Sequence, residues 1–180
     1  MDSNDFYKLL KTSFPFRPTL KQNIGLQQLS NFIFSTVANE LFVLKGYAGT
    51  GKTTIIGVLV KNLWNAQKTA VLLAPTGRAA KVISNYSKSE AFTIHKKIYA
   101  LRPEKNGKMT FVLSPNKHKK TLFIVDEASM ISDISNQDKL FGSGSLLDDL
   151  IQYVYSGQQC KLLLIGDTAQ LPPVKLDLSP

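Results

Sequence analysis

The sequence predicts a layered α/β fold built on a parallel β-sheet with helices on both faces. Short apolar runs recur along the chain and alternate with segments of helical spacing, which is the element order of a doubly wound sheet. The runs are continuously apolar rather than alternating, so both faces of each strand are expected to be buried. With 180 residues, 43% of them apolar, the chain can form one such domain.

Each element follows from a local pattern. Apolar residues at helical spacing predict the first helix over 20–37. The last helix begins with Ser145 three residues before Asp148, a capping-box pattern with Asp in place of Glu. The predicted strands are 41–44, 70–74, 121–126 and 161–167, and the predicted helices are 20–37, 52–66, 77–87 and 145–156.

Three segments fall outside the alternation. Residues 1–19 contain FPFRP, whose two prolines disfavour helix, so an ordered but irregular arm is expected before a domain at 20–180. Residues 101–120 combine an Asn-Gly turn with a short apolar strand, which predicts a small hairpin insert. Residues 132–145 are polar and rich in Gly and Ser, and they are interpreted as a mobile loop.

Composition excludes several kinds of protein. The single cysteine, Cys160, rules out an internal disulfide, and with only two histidines a Cys/His zinc site is excluded as well. No run of 18 apolar residues occurs, and the first residues lack the features of a secretory signal. We therefore expect a soluble, cytoplasmic protein without a membrane partner.

The net charge of +9 is concentrated in one region of the sequence. Residues 41–120 hold 15 Lys and Arg against only Glu90 and Glu104, which leaves 7 basic and 11 acidic residues for the rest of the chain. This distribution favours a polyanion such as nucleic acid as a partner. The alternative is a lysine-rich surface that serves only solubility.

A phosphate-binding loop is predicted directly after the first strand. Residues 46–53 read GYAGTGKT and match G-x-x-x-x-G-K-[ST], with the preceding strand and following helix that this motif needs. The glycines let backbone N–H groups approach a β-phosphate, Lys52 neutralises β/γ charge, and the Thr53 hydroxyl is a ligand for Mg²⁺. A chance glycine turn is the alternative. The predicted ATP-binding residues of the loop are Gly46, Ala48, Gly49, Thr50, Gly51, Lys52, Thr53 and Thr54.

A pair of carboxylates follows the third predicted strand, in TLFIVDEASM. Asp126 is expected to hold Mg²⁺ through water together with Thr53, and Glu127 to orient and deprotonate an attacking water. The pair favours hydrolysis of ATP, with Lys52, Asp126 and Glu127 as catalytic residues. A kinase would need an acceptor pocket, which no sequence element proposes, and the N-K-x-D signature of a GTPase does not occur.

Five blocks of sequence carry a more specific pattern. They are PTLKQ at 18–22, LLAPTGRAAKV at 72–82, FTIHKKI at 92–98, VDEASM at 125–130 and LIGDTAQLPPV at 164–174. In this order they resemble the Q-motif and motifs Ia, Ib, II and III of superfamily 1 DNA helicases of the RecD-like branch, superfamily 1B. The block similar to motif III is the most specific, because an eleven-residue string in register with both phosphate-site motifs is hard to reach by chance.

The resemblance implies a RecA-like fold, with 20–180 as domain 1A of an ATP-dependent helicase or translocase that contacts single-stranded DNA, RNA not being excluded. It also implies that Gln22 contacts adenine and that Gln170, a further catalytic residue, senses the γ-phosphate. A second RecA-like domain, with an arginine that completes the ATP site, is expected beyond Pro180, so this chain alone is expected to hydrolyse ATP slowly. The implied nucleic-acid contacts are Pro75, Thr76, Gly77, Arg78, Lys81, Thr93 and His95.

Alternatives remain open at this point. Thr76 is otherwise a plain helix cap and His95 a packed core histidine. The 101–120 insert is either a strand-separating pin, with Phe111 stacking on a base, or a surface hairpin. The whole chain is alternatively a stand-alone P-loop ATPase or kinase acting on another acidic partner, or a nucleotide-switched DNA-binding module, against which Glu127 argues.

Overall fold

A computed structural model describes residues 1–103, 109–131 and 141–167. The helices are α1 Ser3–Thr12, α2 Leu20–Phe34, α3 Lys52–Asn62, α4 Gly77–Ser87, α5 Ile94–Ile98 and α6 Leu146–Tyr155. The strands are β1 Leu41–Lys45, β2 Thr69–Ala74, β3 Ala91–Thr93, β4 Tyr99–Pro103, β5 Met109–Leu113, β6 Thr121–Val125 and β7 Lys161–Gly166. Among the helices of these three ranges, none has the length and apolarity needed to cross a bilayer.

In the part of the chain that the structure describes, five parallel strands form the main sheet in the order β1-β7-β6-β2-β3. Side chains of a strand alternate between the two faces of a sheet. Along β6, Leu122 and Ile124 pack into a core with α1 to α4, while Phe123 and Val125 pack on the other side with α5 and α6. The predicted α/β fold with helices on both faces is therefore confirmed.

The N-terminal arm differs from the prediction. Residues 3–12 form a regular helix, which begins where the Asp2 carboxylate accepts a hydrogen bond from the Asp5 N–H at 2.8 Å. Phe6 and Leu10 are fully buried in the core of the first face. The prediction of an irregular arm was wrong here, because the two prolines stand at positions 15 and 18, beyond the last residue of the helix.

Strand β1 is also less buried than its apolar run indicates. Phe42 and Leu44 pack against the first core, whereas Leu41 is 41% exposed and Val43 is 45% exposed. The prediction of burial on both faces was correct for β6 and wrong for β1. The reason is position, since within the described ranges β1 is the outermost strand of the sheet and pairs with β7 alone.

The hairpin insert forms a separate two-stranded antiparallel sheet of β4 and β5, in which Leu101 lies opposite Phe111. The predicted short strand over 109–113 is confirmed, and its turn at 106–107 lies outside the described residues. Of the predicted loop over 132–145, only 141–145 is described. Strand β3 and helix α5 were missed, because three and five residues are too few to show a period.

Candidate nucleotide and nucleic-acid site

Most of the predicted site residues follow the carboxyl ends of the parallel strands, and Asp167, which was not among the predicted residues, lies with them. The phosphate-binding loop follows β1, Asp167 follows β7, Asp126 follows β6, Thr76 follows β2, and Thr93 ends β3. Parallel strands all end on the same side of the sheet, here called the carboxyl-terminal edge, and open α/β folds bind their ligands there. The fold therefore gathers residues that are far apart in sequence along one edge.

The phosphate-binding loop, residues 46–51, has the backbone that its glycines predict. Gly49 and Gly51 have φ angles of 76° and 88°, in the left-handed region where a side chain would be strained. The Gly46 N–H donates to the Gly166 carbonyl at 3.3 Å, which ties the start of the loop to β7. Helix α3 begins at Lys52, so its N-terminal N–H groups stand behind the loop, as phosphate binding requires.

Lys52 lies inside the curve of this loop. Its Nζ donates to the carbonyl oxygens of Gly46 and Tyr47 and lies 3.9 Å from the Asp167 carboxylate. The ammonium is thus held by backbone of the loop and by a carboxylate at the end of β7. This places a fixed cation beside the backbone that is predicted to surround the phosphates.

Gln22 packs against the loop as well. Its Nε2 donates to the Thr50 carbonyl at 3.0 Å, while its Oε1 accepts from the Thr19 N–H at 3.0 Å in the capping box of α2. A Cβ built on Gly51 would lie 2.5 Å from that Nε2. Gln22 therefore braces the loop against α2. Its contact with adenine stays a prediction.

The two adjacent carboxylates follow β6, which is two strands from β1 in the sheet. The Asp126 N–H donates to the Leu73 carbonyl at 3.0 Å, which extends the pairing of β6 with β2. Glu127 adopts a left-handed conformation with φ 52° and ψ 38°, and a 3₁₀ turn over Ala128–Met130 follows. This reversal turns the chain directly after Asp126, so both side chains stay at the edge of the sheet.

A cleft of ≈ 410 Å³ joins the loop to the carboxylates. Most of the predicted ATP residues line it, but Gln22, Gly46, Thr50 and Thr54 do not, and Gln170 lies outside the described residues. A larger cavity of ≈ 490 Å³, lined by Lys68, Lys120 and Lys161 among others, lies where the strands begin, away from the loop. The smaller cleft is the candidate site because of the residues that line it, not because of its volume. The cleft is lined by Ala48, Gly49, Gly51, Lys52, Thr53, Val82, Tyr86, Asp126, Glu127, Ile165, Gly166 and Asp167.

The donors in this cleft fit Mg²⁺. Magnesium prefers hard oxygen ligands and is usually held by one or two carboxylates together with substrate phosphates and water. Thr53, Asp126, Glu127 and Asp167 line the same cleft as Lys52, which is the one lysine among its described lining residues. A triphosphate would therefore meet excess negative charge unless a divalent cation accompanied it. Within the described ranges, no group of three or more His, Cys, Asp or Glu forms a metal cage of its own.

Two residues of the cleft were missed at the level of sequence. Asp167 stands at the end of a predicted strand beside the other two motifs, and that position was a usable signal. Tyr86 had none, because its hydroxyl donates to Asp126 Oδ2, 40 positions away, at 2.6 Å. Burial raises the pKa of Tyr86 well above its ordinary value, and the hydrogen bond to Asp126 raises it further.

The predicted nucleic-acid residues lie at the neighbouring ends of β2 and β3. Ala74 pairs with Thr93 in parallel register, so the segment that starts α4 lies beside the segment that starts α5. Arg78 and Lys81 are exposed in the first turns of α4, as are Thr76 and Gly77, while Pro75 is half-buried. The structure thus brings these residues together, with Thr76, Gly77, Arg78 and Lys81 exposed and the other three partly buried.

Three side chains in this region already have protein partners. The Thr76 hydroxyl accepts from the Ala79 N–H, and the Thr93 hydroxyl from the Lys96 N–H, both at 3.2 Å. Both threonines therefore cap their helices. His95 is half-buried, with ring centroids 5.2 Å from Phe141 and 5.8 Å from Tyr99, and this burial lowers the pKa of His95. This packing matches the core-histidine alternative.

Phe111 does not stand free for base stacking. Its ring stacks on Phe141 with centroids 4.4 Å apart and planes 19° apart, and the Gly142 N–H donates to the Phe111 carbonyl at 3.0 Å. The large apolar side chains of the described hairpin that face solvent are Leu101 and Met109. A role for the hairpin at a nucleic-acid fork would therefore fall to them rather than to Phe111.

Comparison with known proteins identifies the family of the domain. Residues 31–177 match the AAA domain family. The chain belongs to the AAA domain family. Within it, the chain is a RecA-like domain of the RecD-like branch of superfamily 1. Its relatives include a RecD2 DNA helicase, the DNA helicase dda and a RecBCD subunit RecD.

Three relatives are longer proteins that contain a region similar to this chain. It is 31% identical to the ATP-dependent RecD2 DNA helicase of Deinococcus radiodurans over 88% of the chain, and 34% identical to the ATP-dependent DNA helicase dda of phage T4 over 73%. It is 32% identical to an uncharacterized protein of Methanocaldococcus jannaschii over 83% of the chain. The chain spans 20%, 28% and 13% of the lengths of these relatives, respectively.

Proposed function

We propose that this AAA domain binds ATP with Mg²⁺, hydrolyses it, and contacts single-stranded DNA as the N-terminal motor domain of a helicase or translocase. The observation that carries the proposal is the strand order. The ends of β1, β7 and β6 carry the residues proposed to bind nucleotide, and the next two strands, β2 and β3, carry the residues proposed to bind nucleic acid. The two proposed sites would thus be neighbours on one sheet, as a motor that couples them requires.

The hydrolysis step is assigned to residues of the cleft. Glu127 orients a water and takes its proton as the water attacks the γ-phosphorus, and the bond to the β,γ-bridging oxygen breaks to release ADP and phosphate. Lys52 stabilises the charge on the phosphate oxygens. Thr53 and Asp126 would hold Mg²⁺, which supplies charge neutralisation between the β- and γ-phosphates. Gln170 remains a proposed sensor of the γ-phosphate.

The nucleic-acid contact is assigned to the start of α4. The N-terminus of an eleven-residue helix offers N–H groups and a positive dipole end to a phosphate. Arg78 and Lys81 add two exposed cations in the same turns. Contacts to phosphate position a strand without reading its bases, so the proposed site takes single strands of any sequence.

The test measures ATP turnover and nucleic-acid binding on the 180-residue chain. The expected result is binding of an ATP analogue that depends on Mg²⁺, binding of oligo(dT), slow turnover, and no duplex unwinding. Slow turnover is expected because one arginine that stabilises the transition state is assigned to a second RecA-like domain of the full-length protein. Such an arginine raises the rate of hydrolysis by about 10³ to 10⁵. An oligo(rU) arm compares RNA with DNA.

Three results would count against this proposal. Failure to bind oligo(dT) would leave a P-loop ATPase or kinase with another acidic partner. Binding of nucleotide and DNA with no hydrolysis, even in the full-length protein, would indicate a nucleotide-switched DNA-binding module. Fast, DNA-stimulated turnover by the 180-residue chain would mean that the activating arginine already lies within it, and would refute the assignment to a second domain.

A further inference from the structure

Tyr86 connects the two proposed sites. It lies in the last turn of α4, and its hydroxyl donates to Asp126 Oδ2 at 2.6 Å. The other carboxylate oxygen, Oδ1, accepts from the Glu127 N–H at 3.0 Å. Both oxygens of the proposed metal-binding carboxylate are therefore fixed by the protein, one by its own turn and one by the helix that begins at the proposed nucleic-acid contact.

The direction of this hydrogen bond is defined, because the Tyr86 hydroxyl is the donor and the carboxylate oxygen of Asp126 is the acceptor. Each carboxylate oxygen has about two lone-pair directions, so Asp126 Oδ2 can accept from Tyr86 and still face a metal-bound water.

We propose that Tyr86 is a positioning residue that holds Asp126 in its metal-binding orientation and makes that orientation depend on the position of helix α4. This deepens the proposed function and rests on it, because it takes the Mg²⁺ and nucleic-acid sites as assigned above. Groups that orient metal ligands by hydrogen bonds typically change metal affinity by about 10- to 100-fold when they are removed.

Helix α4 can carry a displacement from one site to the other because it is short and well packed. Its eleven residues span about 16 Å. Ala79, Ala80 and Ile83 are buried along it. Near its end, the Tyr86 carbonyl faces Gly57 of α3, where an added Cβ would lie 3.9 Å away. The helix therefore contacts the helix behind the phosphate loop as well as Asp126.

The hydrogen bond is sensitive to small movements of α4. From 2.6 Å, a displacement of about 1 Å would bring the oxygen atoms to a distance at which no hydrogen bond remains. A nucleic-acid strand that draws the start of α4 towards itself would therefore alter how firmly Asp126 is held. By linkage, Mg²⁺ and ATP binding would alter affinity for the strand by the same factor.

The test uses Tyr86→Phe, which removes the hydroxyl and keeps the packed ring. The matched control is Tyr7→Phe, since Tyr7 donates to Asn23 Oδ1 at 2.7 Å from helix α1 and does not line the cleft. A fluorescent ATP analogue is titrated at increasing Mg²⁺, with and without oligo(dT), and thermal unfolding checks that each variant is folded.

For Tyr86→Phe, the Mg²⁺ concentration at half-maximal nucleotide binding is expected to rise about tenfold or more. Nucleotide affinity without Mg²⁺ should stay within about twofold, and the factor by which oligo(dT) changes affinity for Mg²⁺ and ATP should move towards one. Tyr7→Phe should match the wild type in all three.

A wild-type or lower Mg²⁺ midpoint for Tyr86→Phe would overturn the positioning role. A shifted midpoint with an unchanged oligo(dT) factor would overturn the coupling. Failure of the wild type to bind nucleotide or oligo(dT) would instead refute the proposed function.

Discussion

Replacing Lys52 by alanine tests the nucleotide site most directly. Its side chain is only 18% exposed, and its Nζ is already bonded to the carbonyls of Gly46 and Tyr47. A phosphate oxygen must therefore replace interactions that exist in the protein, and the net gain is that of one charge-assisted hydrogen bond, about 1.5–3 kcal/mol. This corresponds to a loss of about 10- to 150-fold in affinity for ATP.

The assay is a titration of a fluorescent ATP analogue in Mg²⁺ into the 180-residue chain. Lys61→Ala is the matched control, because Lys61 is an exposed lysine in the last turn of the same helix, α3. Its substitution removes the same charge and should change affinity by less than about twofold. Equal losses for both variants would mean that only the overall charge matters. No loss for Lys52→Ala in a folded protein would show that ATP binds elsewhere.

Three further substitutions test other parts of the structure. Glu127→Gln should keep the affinity for Mg²⁺ and ATP and lower phosphate release by about 10² to 10⁴; unchanged turnover would move the general base to another residue. Arg78→Ala and Lys81→Ala should each reduce the slope of log affinity for oligo(dT) against log salt by about 0.7, and unchanged slopes would place the strand elsewhere. Phe6→Ala should destabilise the protein by about 3–5 kcal/mol in chemical denaturation. Trp64→Ala, at a side chain that is 72% exposed, should cost less than about 0.5 kcal/mol, and similar values for the two would contradict the burial of α1.

The parts of the fold that the sequence predicted are those in which the pattern is local. The TLFIV run of β6 is continuously apolar and is buried on both faces. The LFVL run of β1 has the same pattern, but its exposure depends on which strand pairs beside it, and the order of strands is a property of the whole chain. For α1, the proline signal was real but was applied to residues that precede the prolines.

In the candidate site, too, local motifs could be predicted from the sequence and contacts between distant segments could not. The phosphate-binding loop and the Asp126–Glu127 pair lie within short segments whose spacing is set by chemistry, so they could be predicted. Tyr86 could not, because its contact depends on how α4 packs beside β6. Likewise, the packing of Phe111 in β5 depends on Phe141, which comes from the segment before α6.

The left-handed backbone of Glu127 lowers the stability of the protein at a residue that is proposed to be catalytic. A non-glycine residue at φ 52° stores about 1 kcal/mol that glycine would release. Selection for thermal stability alone would therefore favour replacing the one side chain that is proposed to activate water. A Glu127→Gly protein is therefore expected to be more stable than the wild type and unable to hydrolyse ATP.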